Sequence, residues 1–299
     1  MKALRGMDIL GNIAILKFSD KASLREKKKI AEKILKHNKS IKTIVEKTGK
    51  FSGRLRKQKT RWLAGEKTKE VLYRENGCVF RFNVDETYFS SRLSGERKEI
   101  ASKIKKGESV LVMFSGVNPY GIVIAKNSKA RKVCSIEINK EASKYARLNV
   151  ELNKLKDSVE IIQGDVKKIV KVISKKQSLK SCLVNVNGIW KSVKILSVSK
   201  KRVYDNGQVI PRKFDVIVMP RPQLKDSFLG EAFSLSKSGK RGTRIFYYDF
   251  CKNDEIESVI EKIKQEAKKS GKKIKIINKK VAGEIASYKV RLRVDFKVL

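Results

Sequence analysis

Several short segments of this chain carry residue types that could hold a small anionic or nucleoside ligand. An apolar run, Val110 to Phe114, leads into the small-residue loop Ser115 to Asn118 and then a helix start at Pro119. A buried strand, a glycine-containing loop and a helix bring backbone N–H groups and a positive helix end to one place. Gly116-Val117-Asn118 is not Gly-x-Gly-x-x-Gly, and an ordinary βα turn would read the same way. Glu137 lies at the end of a second apolar run, Val133 to Ile138, where an acid can accept hydrogen bonds from ribose hydroxyls. Gly164-Asp165 follows a third run, Val159 to Ile162, where an acid can accept from an adenine amino group. Pro220-Arg221-Pro222 follows a fourth, Phe214 to Met219. A strand-terminal acid serves equally as a helix N-cap, and prolines equally as turn punctuation, so both readings stay open for each position. The four cysteines, Cys78, Cys134, Cys182 and Cys251, form no Cys-x-x-Cys pair, and His37 is the single histidine. Zinc ligation, a disulfide framework and Ser-His-Asp hydrolysis are therefore not expected.

The elements that must position these residues alternate. After the strand at Val110, the pattern predicts strand 133–138, helix 140–153, strand 159–162, strand 214–219, helix 225–236, strand 244–250, helix 254–269, and strands 272–278 and 287–298. Repeated βα units imply a parallel sheet covered by helices, and the two closing strands imply an antiparallel edge hairpin. Ligands of such sheets bind beyond the carboxyl ends of the strands, which is where the segments above fall. Residues 174–213 break the rhythm. Leu183–Val186, Val193–Val198 and Lys201–Tyr204 read as short strands of a β-hairpin insertion, with turn signals at Asn187-Gly188 and Asn206-Gly207.

Residues 1–86 read as a separate basic α+β module. Residues 7–18 predict two strands turning at Gly11-Asn12, residues 23–37 a basic amphipathic helix, and Ile41–Val45 a strand. Glu70–Arg74 and Val79–Val84 predict a hairpin around Asn76-Gly77. Between them, Arg54, Arg56, Lys57, Lys59 and Arg61 cluster before Trp62. Cations interleaved with an aromatic ring can pair phosphates and stack on bases, although tryptophan is highly buried on average and Trp62 is expected in the core.

The chain has 71 Lys+Arg against 31 Asp+Glu, a formal net charge of +40, and 40% hydrophobic residues. It can build a core, and its field would attract a polyanion, unless the excess reflects only a lysine-biased proteome. No apolar stretch reaches the roughly 18–20 residues of a membrane span and no signal-peptide core opens the chain, so a cytoplasmic protein is expected.

The rim residues resemble the cofactor site of class I methyltransferases. Longer segments narrow the likeness: Met7 to Phe18, Arg61-Trp62-Leu63-Ala64-Gly65-Glu66, Arg74-Glu75-Asn76-Gly77-Cys78, Tyr88 to Arg97 (YFSSRLSGER), Val112 to Tyr120, Met219 to Pro222, Arg244 to Phe250 and Val294 to Val298. Over nearly its whole length the chain resembles the archaeal/eukaryotic tRNA (guanine-N1)-methyltransferases that act on the guanosine just 3′ of the anticodon. Val112 stands where that family has a strand-end aspartate, Asn118 where it has a second loop glycine, and Ser91 where it has a proline. Asn118 is therefore expected to put a side chain where backbone should approach the ligand. No counterpart of the small N-terminal domain of many members is expected here.

The resemblance implies a class I, Rossmann-like, S-adenosylmethionine-dependent α/β methyltransferase domain over 87–299, with its insertion near 174–213, behind a small tRNA-binding domain over 1–86. It implies S-adenosylmethionine as cofactor, held by Met113, Phe114, Gly116, Val117, Glu137, Ile138, Gly164, Asp165 and Pro220. Arg92 is expected to meet the guanine O6 or a phosphate, with a salt bridge to Glu96 as the alternative. Pro220 and Pro222 would shape the base pocket. Arg54, Lys57, Arg61, Arg92 and Arg97 are the expected RNA contacts. The partner would be the tRNA anticodon stem-loop, without membrane or metal, and the chain a monomer. Related reactions of the wyosine pathway, methyl or aminocarboxypropyl transfer, and a tRNA-binding paralogue without activity are the alternatives.

Overall fold

The computed structural model describes residues 3–49, 53–174, 182–186, 189–193, 202–204, 208–220, 226–286 and 288–299. In chain order its elements begin with β1 (Leu4–Leu10), β2 (Ile13–Phe18), α1 (Leu24–His37), β3 (Thr43–Lys47), β4 (Thr60–Gly65), β5 (Glu70–Glu75), β6 (Cys78–Asn83) and α2 (Ser94–Ser102). They continue with β7 (Ser109–Met113), α3 (Pro119–Asn127), β8 (Lys132–Glu137), α4 (Lys140–Leu152), β9 (Val159–Gln163) and α5 (Val166–Ser174). The remainder is β10 (Cys182–Val186), β11 (Ile189–Val193), β12 (Arg202–Tyr204), β13 (Gln208–Ile210), β14 (Val216–Met219), α6 (Leu229–Ser234), β15 (Arg244–Lys252), α7 (Ile256–Lys269), β16 (Ile274–Ala286) and β17 (Lys289–Val298). Two compact units result: Met1–Lys106 with Phe114–Gly164, and Gly107–Met113 with Asp165–Leu299.

In the first unit, β1 to β4 form a sheet in sequence order. The turn at Gly11-Asn12 joins β1 and β2 as an antiparallel pair, as expected from the sequence. β2 then pairs in parallel with β3, which requires a crossover, and α1 supplies it. Ser23 and Glu26 close a reciprocal capping box at the start of α1. Ala31 of α1 packs with Ala14, Leu16, Phe18, Ile44 and Leu63 in the local core. The buried carboxylate of Glu46 on β3 takes Lys27 of α1 at 2.7 Å and Arg61 of β4 at 2.7 Å. β5 and β6 form a separate antiparallel ribbon, its turn built from Asn76 and Gly77 at φ 48° and 72°. Both residues therefore adopt the left-handed conformation a tight two-residue hairpin demands. β8 and β9 pair in parallel in this unit.

In the second unit the strands lie in the order β16-β17-β15-β14-β7. β7, β14 and β15 are parallel, and β17 and β16 close the edge antiparallel, as the sequence pattern predicts. β7 and β14 are buried along their whole length, which explains their unbroken apolar sequences.

Four expectations need correction. β4 was not anticipated, because Thr60–Gly65 follows directly on a lysine- and arginine-rich stretch; pairing with β3 makes it a strand. Trp62, expected in the core, is only half-buried on β4, with Nε1 donating to the Glu66 carbonyl at 3.2 Å. α6 spans Leu229–Ser234 rather than 225–236; Phe228 at φ 55° is left-handed and delays its start. In the insertion, β10 pairs with β11 and β12 with β13, so Ile189 to Ser192, expected in no strand, form one with Val193. Residues 194–198 of the strand expected at Val193–Val198, and Lys201 of the one expected at Lys201–Tyr204, lie outside the described residues.

Candidate functional site

The loop after β7 is where the first unit concentrates chemistry. Phe114, Gly116 and Asn118 alternate along it at φ 57°, 59° and 65°, three left-handed residues in five. Non-glycine residues rarely hold that conformation unless their surroundings fix it. Here the Ser115 N–H donates to the Ile136 carbonyl at 3.0 Å and the Asn118 N–H to the Ser115 carbonyl at 2.9 Å. The Gly116 N–H donates to Glu137 Oε2 at 2.7 Å. Pro119 opens α3 at its first turn, where its missing N–H removes no helical bond.

Glu137 ends β8 and is buried. Its Oε1 accepts from the Asn139 N–H at 2.7 Å, and the Ile138 N–H also faces the carboxylate. Burial pushes its pKa above the usual glutamate value, while the N–H groups of Asn139, Gly116 and Ile138 pull against that shift. Asn139 caps α4 by accepting from the Glu141 and Ala142 N–H groups, and its amide donates to the Glu86 carbonyl at 2.8 Å. The Ser115 hydroxyl is buried without a hydrogen-bond partner among the described residues.

Asn118 does not stand in the loop's open face. It is fully buried, and Ser135 Oγ donates to its Oδ1 at 2.8 Å, beside Gly121, where a Cβ would come within 2.3 Å of that oxygen. The expected obstruction is therefore corrected: the left-handed backbone turns the side chain inward. Val112 is likewise buried within β7.

The first unit thus brings together Phe114, Gly116, Val117, Glu137, Ile138 and Gly164. The Gly164 N–H donates to the Glu137 carbonyl at 2.8 Å. In the second unit, Met113 ends β7 and Pro220 directly follows β14, at the same end of that parallel pair. Asp165 precedes α5 and accepts from the Lys167 N–H at 2.8 Å, the behaviour of a helix cap. Pro222 lies outside the described residues.

Among the expected RNA contacts, Arg54 is exposed. Lys57 pairs with Glu86, and Arg61 is half-exposed while bound to Glu46. Arg92 has a side chain 76% exposed and pairs with Asp8 of β1 at 3.0 Å. Arg97 is a correction. It is 1% exposed, forks onto the buried Glu75 carboxylate and lies over the Phe89 and Tyr120 rings, so it supports the core and cannot reach RNA. Two groups escaped sequence reasoning. Asn139 had a readable signal, a capping residue immediately ahead of a helix. Asn149 had a fainter one, an amide on the buried stripe of α4.

A glycine-bearing loop drawn onto a strand-end acid suits a nucleoside cofactor, and comparison with known proteins agrees. The TRM5/TYW2 methyltransferase domain model matches residues 71–207, and the TYW2 N-terminal domain model matches 2–68. A Nanoarchaeum equitans protein, tRNA (guanine(37)-N(1))/4-demethylwyosine(37)-methyltransferase Taw22, is 36% identical over 98% of this chain and 99% of its own length. The chain belongs to the TRM5/TYW2 methyltransferase family. Pyrococcus abyssi tRNA (guanine(37)-N(1))-methyltransferase Trm5b is 30% identical over 97% of this chain and 74% of its own. A crystal structure of wild-type Trm5b from Pyrococcus abyssi superposes with a TM-score of 0.75 at 29% identity, covering 98% of this chain and 75% of that one. TRM5/TYW2 membership makes the chain a methyltransferase of mixed α/β class I, Rossmann-like fold with an N-terminal domain. Among the described residues of this family member, no helix is long and apolar enough to cross a membrane and no side-chain cluster could hold a metal ion.

Proposed function

We propose that the chain methylates N1 of the guanosine just 3′ of the anticodon in tRNA. S-adenosylmethionine, when bound, supplies an electrophilic methyl carbon on its sulfonium. The observation that carries the cofactor reading is the Glu137 carboxylate at a strand end accepting from the Gly116 N–H of loop 114–118. That carboxylate keeps acceptor capacity for ribose hydroxyls, and the partnerless Ser115 hydroxyl lies in the same loop. Within the first unit, Phe114, Gly116, Val117, Glu137, Ile138 and Gly164 are the cofactor-binding residues; Met113, Asp165 and Pro220 are assigned to cofactor binding by family resemblance. The names of the two relatives, both tRNA (guanine(37)-N(1)) enzymes, support the target nucleoside.

Residues 1–86 hold the tRNA through Arg54, Lys57 and Arg61, and 87–299 carry out transfer. Arg92 orients the base. Its exposed guanidinium can exchange Asp8 for a phosphate or the guanine O6, where negative charge develops as N1 loses its proton. Pro220 and Pro222 shape the pocket for the base. The chain acts as a monomer.

The decisive assay uses unmodified tRNA transcripts with guanosine or adenosine at the target position. The guanosine transcript should gain one methyl group at N1, and the adenosine transcript none. Arg92→Ala should lower turnover by about 100-fold or more, the usual loss for one charge-stabilising donor, with tRNA affinity within a few-fold. Unchanged turnover would remove Arg92 from the mechanism.

A second reading is favoured by the Nanoarchaeum equitans relative, whose name also covers 4-demethylwyosine(37). Methylation of tRNA carrying that tricyclic base, read by mass spectrometry of nucleosides, separates one activity from two; aminocarboxypropyl transfer would appear as a different mass gain.

A further inference from the structure

Asn149 on the buried face of α4 and Asn153, the residue that caps the C-terminus of that helix, lie one turn apart, and each grips one residue of β6. Asn153 Oδ1 accepts from the Val79 N–H at 2.9 Å, and its Nδ2 donates to the Val79 carbonyl at 2.7 Å. Asn149 repeats this at Arg81, accepting at 2.7 Å and donating at 3.1 Å. A side-chain amide offers the donor and acceptor of a peptide unit, so the two together replace a neighbouring strand along β6.

The two differ in their remaining N–H. That of Asn153 returns to its own helix, at the Asn149 carbonyl, 2.7 Å away. That of Asn149 leaves the helix and donates to the Val117 carbonyl at 3.2 Å. Val117 sits between the left-handed residues Gly116 and Asn118. The Ser115, Gly116 and Asn118 N–H groups are already bound to β8, Glu137 and the loop itself. The peptide plane that joins Val117 to Asn118 is thus held at both ends, its N–H by the Ser115 carbonyl and its C=O by the Asn149 amide.

We propose that Asn149 is a positioning residue for the methyl donor: it holds the Val117 peptide, and with it the curvature of loop 114–118, and couples that loop to the β5–β6 ribbon. This rests on the reading that the loop receives S-adenosylmethionine.

The matched variants Asn149→Asp and Asn153→Asp test it, because each keeps the acceptor and loses both donors. Calorimetry with S-adenosylmethionine should show Asn149→Asp weakening affinity about tenfold or more, the equivalent of one hydrogen bond of ordinary net strength or slightly above. Asn153→Asp should stay within about twofold, although both variants lower the melting temperature through the same loss at β6. Equal weakening in the two, or none at Asn149, overturns the proposal. Absence of heat with the wild-type chain would instead sink the cofactor reading itself. Should Asn149→Asp fail to fold, hydrogen exchange of the wild-type chain decides. Cofactor should slow exchange at the Arg81 amide, which is bound to Asn149, and leave the Val79 amide unchanged; equal effects at both would refute it.

Discussion

A carboxylate buried against backbone N–H groups is held in two opposing ways, and Glu137 shows both. Burial raises its pKa above the ordinary 4.5, while the Asn139, Gly116 and Ile138 amides favour the charged form. The net direction is upward, so the folded chain binds this proton more readily than the unfolded one. The group's contribution to stability is then fully present below 4.5 and is lost as pH rises through the raised folded value. Glu137→Gln cannot titrate. Its melting temperature relative to wild type should therefore climb as pH rises across that window and level off above it. A gap that stays constant with pH would mean the carboxyl titrates normally. Cofactor affinity should move the other way, because glutamine offers one acceptor oxygen to amides that now have two. Arg97 teaches a complementary lesson. Expected among the RNA contacts, it is instead held by a fork onto Glu75, the Ser90 carbonyl and two aromatic faces, the kind of pairing a buried guanidinium requires.

At the scale of elements, Gly11 decides how the β1–β2 turn meets the β5–β6 ribbon. A Cβ there would lie 1.9 Å from the Leu72 carbonyl oxygen, and φ is +54°. Beside it, Asn12 accepts from the Leu72 N–H at 2.7 Å and donates to the Glu70 carbonyl at 3.3 Å. Gly11→Ala should destabilise the chain by well over the roughly 1 kcal/mol of left-handed strain alone, since backbone must also move. Urea denaturation measures this; a loss below that figure would show that the turn relaxes freely. Sequence made much of this architecture legible, because local signals agreed with the tertiary outcome. The Gly11-Asn12 and Asn76-Gly77 turns, the Ser23–Glu26 box and the apolar runs of β7 and β14 each have a short-range cause. What stayed hidden had a long-range one. β4 exists by pairing with β3, the start of α6 depends on a left-handed Phe228, and the inward turn of Asn118 depends on Ser135 across the fold. At the candidate site the strand-end acid and the loop could be read, but the partners of the Asn149 amide could not, because they are 32 and 68 residues away.

For the molecule as a whole, 31 acids cannot neutralise 71 cations even if every one is paired. The excess of +40 should make tRNA affinity fall steeply with salt, because each neutralised phosphate releases counterions. Binding measured between about 50 and 200 mM salt should give a log–log slope steeper than about −3, corresponding to several phosphate contacts. A slope near zero would mean the lysines dress the surface without serving the nucleic acid. The asparagines bordering the β5–β6 ribbon have a separate consequence. Two-stranded ribbons ordinarily present rows of vacant peptide groups that invite strand addition by another copy, the first step toward aggregation. Here Asn12 covers Glu70 and Leu72 on one border while Asn149 and Asn153 cover Val79 and Arg81 on the other, so neither border offers those groups as a template.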